Sequence, residues 1–340
     1  MNTDVLKAQI ANGNWKPNVY LTNLSLAYFQ AANDFSATKL FPIVPVPVAS
    51  SYYYIFDKED LTRDDMQRKP MFGEVPPVTL RQSDESYNCK IDQLIMGIDQ
   101  LSNLNYERSG VPGVADPRKA MIRTVAEKIN IHLESLFAKN FFQKGVWGTE
   151  LTGISSGTPT SSQFLRFDND ACDPVEIMDQ LKLEIRRKAQ RMPNKLVIGI
   201  EAYVALKHNP CIMERIKYSG SSANPAMVNT NVLAQLFEVD QVAVNIATKN
   251  NAGIGKDANM DYICDPKGAL LCYAPNSPSI DEPSAGYTFA WDMLGGAQYV
   301  AVTQYQGKQS EHAEFIEAIM AYDMKKTGDD LAVYLGDCVV

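Results

Sequence analysis

The stretch that most limits how this chain can fold runs from Ile43 to Gln100. It reads as two strand-forming limbs joined by an irregular, charged tip. The first limb, Ile43 to Phe56, is dense in β-branched and aromatic residues, the chemistry of a pleated, half-buried strand. The returning limb runs from Ser86 to Met96. Pro45 and Pro47 have the same parity, so both missing N–H donors fall on one edge of the first limb. That edge cannot pair, and the segment is expected to be an outer strand. Tyr52, Tyr54 and Phe56 alternate with Tyr53 and Ile55, which puts apolar area on both faces. A limb of this length reaches roughly 40 Å, and a two-stranded ribbon alone is marginal in water. We therefore expect it to lie on another surface, much of it supplied by a neighbouring copy of the same chain.

The tip, Asp57 to Pro70, carries five acids and four bases in fourteen residues. Two readings stay open: a solvated loop, or a contact with a mixed-charge surface that sets register more than affinity. On the second reading the candidate inter-subunit residues are Tyr52, Tyr53, Tyr54, Phe56, Asp57, Lys58, Arg63, Asp64, Arg68 and Lys69. Met71 to Gln82, with Pro76-Pro77, continues the irregular excursion.

At 340 residues there is ample chain for a large core. The net charge of −8 disfavours a dedicated nucleic-acid binder, because phosphate neutralisation needs clustered Lys and Arg. There is no apolar run of transmembrane length, and Met1 to Lys7 does not read as a secretory signal. The six cysteines are scattered without a C-x-x-C; reduced, buried thiols are expected, with no disulfide or structural zinc.

In chain order, residues 1–42 read as an arm, with a short amphipathic helix at Leu21 to Phe29. Asp116 and Pro117 open a long helix. Its apolar stripe is Ile122, Val125, Ile129, Leu133 and Leu136, extended by Phe137 and Phe141 and closed near Gly145. Residues 145–170 read as a loop-rich joint. Asp173-Pro174 opens a second helix with Val175, Met178, Leu181, Ile185 and Ala189 on its buried face. Its late Arg186, Arg187, Lys188 and Arg191 are read as complementing the helix end. A strand at Leu196–Ile200 and a helix at Glu201–Lys207 follow, then short strands to residue 305. Glu314–Met324 and Leu331–Val340 read as a closing strand pair.

Zinc-hydrolase spacing is missing from the sequence: His132, His208 and His312 are isolated, and no H-E-x-x-H occurs. Gly253-Ile254-Gly255-Lys256-Asp257 offers a Gly-Lys, but Asn250 and Asp257 stand where a phosphate loop needs Gly and Ser/Thr. No catalytic, cofactor or metal residue is assigned.

Two stretches carry a family resemblance. Pro193 to Gly199, then Ala205 to Pro210 and Met213 to Tyr218, resembles a stretch of tailed-bacteriophage major capsid proteins; so does Lys39 to Val46 with the Tyr-rich limb after it. The order of arm, loop, helix, mixed domain and closing strands resembles the same family along the whole chain. What the resemblance implies is an α+β chain of the Hong Kong 97-like shell fold. Residues 1–42 would be the N-terminal arm and 43–100 the extended loop over a neighbouring subunit. Residues 101–167 and 297–340 would be the peripheral domain, with a spine helix at 116–144, and 168–296 the axial domain. Implied too are pentamers and hexamers in an icosahedral shell around double-stranded DNA that is contacted weakly. A portal and a separate scaffolding protein are expected, as is assembly in the bacterial host cytoplasm. No covalent cross-link is carried over. An encapsulin-like compartment shell, or a cytosolic enzyme with a hidden site, are the alternatives.

Overall fold

In the computed structural model the described residues are 30, 34–56, 58–100, 117–219, 228–278, 282–292 and 300–340. The expected helix at Leu21–Phe29 and the Asp116 cap lie outside them. The helices are α1 (Ala37–Leu40), α2 (Lys58–Leu61), α3 (Pro117–Asn140), α4 (Pro174–Ala189), α5 (Ile200–His208), α6 (Pro210–Ser219) and α7 (Thr230–Leu236). The strands up to the long helix are β1 (Ile43–Val46), β2 (Ser50–Phe56), β3 (Gln82–Asn88) and β4 (Lys90–Asp99). Then come β5 (Glu150–Ile154), β6 (Gln163–Leu165), β7 (Lys195–Gly199), β8 (Gln241–Asn245), β9 (Thr248–Asn250) and β10 (Met260–Tyr262). The last are β11 (Ala269–Cys272), β12 (Gly286–Trp291), β13 (Val300–Gln306), β14 (Ala313–Lys326) and β15 (Ala332–Gly336). Of the described residues, 30, 95–100, 117–127 and 303–317 group into one compact unit and the rest into a second.

The second unit is built on a six-stranded sheet in the order β6-β5-β15-β11-β7-β8. Its central strands β7, β11 and β15 are buried at every position, as expected when both faces are covered. Leu196, Ile198, Leu271, Val333 and Leu335 point into one core with Met178, Leu181 and Ile185 of α4, Leu206 of α5 and Leu233 of α7. The alternate residue Tyr334 meets Phe142 edge-on, with ring centroids 5.6 Å apart. At the end of β7 the chain turns at once into α5. The first N–H groups of that helix, from Glu201 and Ala202, donate to Pro266 O at 3.0 and 3.2 Å. Gly199 permits this approach, since a Cβ there would sit 2.4 Å from Pro266 O. Helix α4 starts as expected: Asp173 accepts from Val175 N–H at 3.1 Å, and Pro174 follows it.

Four sequence expectations need correction. Residues 145–170 are more than a joint, because β5 and β6 add two parallel-paired strands to the sheet. The closing strands do not pair with each other: β14 pairs with β12, whereas β15 lies between β5 and β11. The long helix ends at Asn140, not Lys144, and spans about 36 Å. On it Val125, Ile129, Leu133 and Phe137 are buried at intervals of four, but Ile122 is exposed. The fourth concerns the ribbon. β1 leaves it and pairs in parallel with β12, at the edge of the sheet β1-β12-β14-β13, and β4 also pairs with β14. Pro45 is exposed there, which fits the outer-strand expectation. The hairpin proper is β2 with β3, Ser50 opposite Asn88 and Phe56 opposite Gln82, about 23 Å long.

The six-stranded sheet draws β5, β6 and β15 from stretches expected in the peripheral domain, and β7, β8 and β11 from the stretch expected in the axial one. All six cysteines are free, and Cys211 alone of them is not buried. Burial pushes Cys89 up to about 11 and Cys172 and Cys272 up to about 12. Such thiols stay protonated and unreactive at neutral pH.

Candidate inter-subunit surface

The root of the hairpin sits on its own chain. Val46, Tyr87, Cys89 and Phe289 form a buried cluster, in which Tyr87 stacks on Phe289 with centroids 4.6 Å apart. Tyr87 Oη donates to Val48 O at 3.2 Å, and Asn88 N–H donates to Asp323 Oδ2 at 2.9 Å. Tyr53 faces the same way, 5.3 Å from Phe289, and donates to Glu85 Oε2, directly opposite on β3, at 2.6 Å. Burial, and then the Glu85 carboxylate, raise its phenol above the usual range. Strand alternation sends Tyr52 and Tyr54 the other way, where they are 72% and 62% exposed.

Beyond β2 the chain is closed by a polar knot. Asp60, at α2, is buried and takes three hydrogen bonds from Arg81: Nε at 2.8 Å, Nη2 at 3.1 Å and backbone N–H at 3.1 Å. Arg63 adds an ion pair at 3.2 Å. These donors, Arg81 foremost, hold the Asp60 carboxyl down to about 2. A depressed acid stabilises its folded partners above the ordinary carboxylate range and loses that effect as pH falls through its own value. The knot therefore persists at pH 4 and opens towards pH 2, and the Arg81 Nε–H resonance should titrate near 2. Asp60→Asn, which weakens the knot at every pH, should raise the rate of tryptic cleavage at Arg63 and Arg68 several-fold at pH 8 while exchange in β7 and β11 stays unchanged.

Between the knot's two ends, residues 62–80 run without regular structure and present apolar side chains to solvent. Met66 is 92%, Met71 88% and Phe72 100% exposed, and Leu61, Val75, Val78 and Leu80 are exposed as well. Asp64, Arg68 and Lys69 are exposed beside them. The structure thus divides the sequence-derived candidates. Tyr52, Tyr54, Asp64, Arg68 and Lys69 share the outward surface, while Tyr53 turns inward. Lys58 pairs with Asp330 and Arg63 with Asp60 of the same chain. Phe56 lies opposite Gln82 in the hairpin, its side chain outside the described part; Asp57 lies outside the described residues altogether. The sequence reading missed Asp60 and Arg81 because their contact spans 21 positions with no local signature. It also passed over Met66, Met71 and Phe72, whose apolar character in a charged stretch was a usable signal.

The remaining chemistry-bearing candidates do not converge. His132 Nε2 lies 3.2 Å from Asp92 Oδ2 in an exposed pair. Gly253 to Lys256 falls in the turn between β9 and β10, with no helix to seat a phosphate. Among the described residues no three His, Cys, Asp or Glu side chains gather to hold a metal ion, and no helix is long and apolar enough to cross a membrane.

No family model matches the sequence. The major capsid protein of Burkholderia phage BcepMu is 27% identical over 277 residues, covering 79% of this chain and 81% of that protein. Among solved structures, a phage-related protein from Bordetella bronchiseptica RB50 matches with TM-score 0.65 at 19% identity, over 94% of this chain and 97% of that one. The mature capsid of bacteriophage PhiM1 matches with TM-score 0.55 at 10% identity, over 91% and 88%. The sequence relative and the shared architecture agree with each other: the chain has the α+β, Hong Kong 97-like fold of solved phage capsids and is similar in sequence to a phage major capsid protein.

Proposed function

We propose that this chain is the structural subunit of a tailed-phage head, self-assembling into an icosahedral shell around the double-stranded DNA genome. One observation carries the reading: an excursion rich in exposed apolar residues projects from a subunit whose own core is complete without it. Apolar patches left uncovered by the chain that makes them mark interaction sites, and identical copies closing on one another supply the cover. On this reading residues 43–100 form the extended loop, and Tyr52, Tyr54, Asp64, Arg68, Lys69, Met66 and Phe72 meet a neighbouring subunit. The arm at 1–42, the peripheral domain at 101–167 and 297–340 and the axial domain at 168–296 are regions of that subunit, grouped as pentamers and hexamers. The net charge of −8 suits a wall that confines DNA by closure and binds it weakly. A separate scaffolding protein and a portal complete assembly in the host cytoplasm, and the subunit itself has no catalytic role.

Electron microscopy of the protein expressed with its neighbouring phage genes tests this. Closed particles carrying a portal and DNA are expected. Particles that form from the chain alone and hold protein cargo would assign it to a cellular compartment, and a monodisperse monomer under all conditions would overturn the proposal.

A further inference from the structure

A buried carboxylate and a buried ammonium face the two ends of the same short helix. Glu134, on α3, is 0% exposed. Its Oε2 accepts the N–H groups of Ser36 at 2.9 Å and Ala37 at 2.8 Å, the otherwise unpaired donors at the start of α1. Its Oε1 accepts Ser36 Oγ–H at 2.6 Å and the Asn245 amide, and the Cys264 thiol lies 3.8 Å away. At the other end Lys195, 5% exposed, donates Nζ–H to Leu40 O at 2.8 Å and Lys39 O at 3.2 Å, the carbonyls the helix leaves without partners. Burial draws the Lys195 ammonium below the usual lysine range, so its place depends on those carbonyls. A four-residue helix has no stability of its own, yet Phe35, Ala37, Leu40 and Phe41 are all buried. Phe41 packs edge-on against Phe141 at 4.8 Å.

We infer that residues 34–42 are a strap held at head and tail by Glu134 and Lys195, which docks and releases as one unit. Release of the strap takes from Glu134 three of its donors, leaving the Asn245 amide and the Cys264 thiol, and takes from Lys195 both of its carbonyl acceptors, so each buried charge loses most of its partners at once. The chain order places this strap directly ahead of β1, where Pro42 O accepts Thr288 N–H at 3.1 Å. The strap therefore adjoins the strand that leads toward the hairpin.

Hydrogen–deuterium exchange on the intact protein tests the coupling. Glu134→Gln, which turns an NH2 toward donors, should speed exchange of the distal amides at 39–41 by about tenfold or more. Lys195→Met should do the same to the amides of Ser36 and Ala37 at the opposite end, with β11 and β15 unchanged in both variants. Should either of these fail to fold, Ser36→Ala, which deletes a single donor, gives the same pattern at smaller amplitude. Loosening confined to the end that was mutated, or a uniform rise that includes β11 and β15, would overturn the proposal.

Discussion

Replacing residues 58–81 with a short Gly-Ser linker yields a folded subunit that makes no stable particles. Folding survives because Asp60 is the one buried residue of that stretch, and it is partnered largely from within it by Arg63 and Arg81. The exposed Lys58–Asp330 pair that is lost is worth about 0–1 kcal/mol. The root, Val46, Tyr87, Cys89 and Phe289, stays intact. Assembly fails for a quantitative reason. Leu61, Met66, Met71, Phe72, Val75, Val78 and Leu80 are exposed in the single chain, and full burial contributes about 1.5–3 kcal/mol for each such side chain. Summed, that is comparable with the roughly 4–15 kcal/mol that association costs in lost freedom, so the excursion can decide between shells and free subunits. Sedimentation velocity reads the result: a slow single species for the variant, fast particles for the parent. Durable particles of normal size from the variant would remove the hairpin tip from the assembly.

The second large effect is on the subunit itself. Ile129→Asp puts an unpaired carboxylate into the buried stripe of α3, where Ile129 is 7% exposed between Val125 and Leu133. Such a change costs about 4 kcal/mol or more, a large share of the 5–15 kcal/mol typical of a domain. The variant should be largely insoluble or lack a cooperative melt. Ile122→Asp, about two turns earlier at a position that is 46% exposed, should melt close to the parent. Equal damage from both substitutions would show that the stripe is wider than the structure has it.

The contrast between those two isoleucines marks how far the sequence could be read. Signals that act within a few residues were legible: Asp173-Pro174 opening α4, the four-residue spacing from Val125 to Phe137, the prolines that keep β1 at an edge. Partners far along the chain were not. Nothing in Ala332–Gly336 says that it lies beside Glu150–Ile154 and Ala269–Cys272, since a strand's pattern gives its faces and not its neighbours. The same limit hid the Asp60–Arg81 knot and the Glu134 donors some 98 positions away. The tyrosine-rich limb was legible as a strand, but the place where β1 parts from β2 depends on Phe289, which only the fold brings near.

The position of β15 has a consequence for synthesis. That strand occupies an inner place in the six-stranded sheet, between β5 and β11, yet about 60 residues separate it from β11. At ribosomal speeds of roughly 5–20 residues per second, the nascent chain waits about 3–12 s with its sheet in two unjoined halves. Only a polypeptide synthesised past Gly336 can close this sheet, so products of a message cut short before that strand carry an unjoined core.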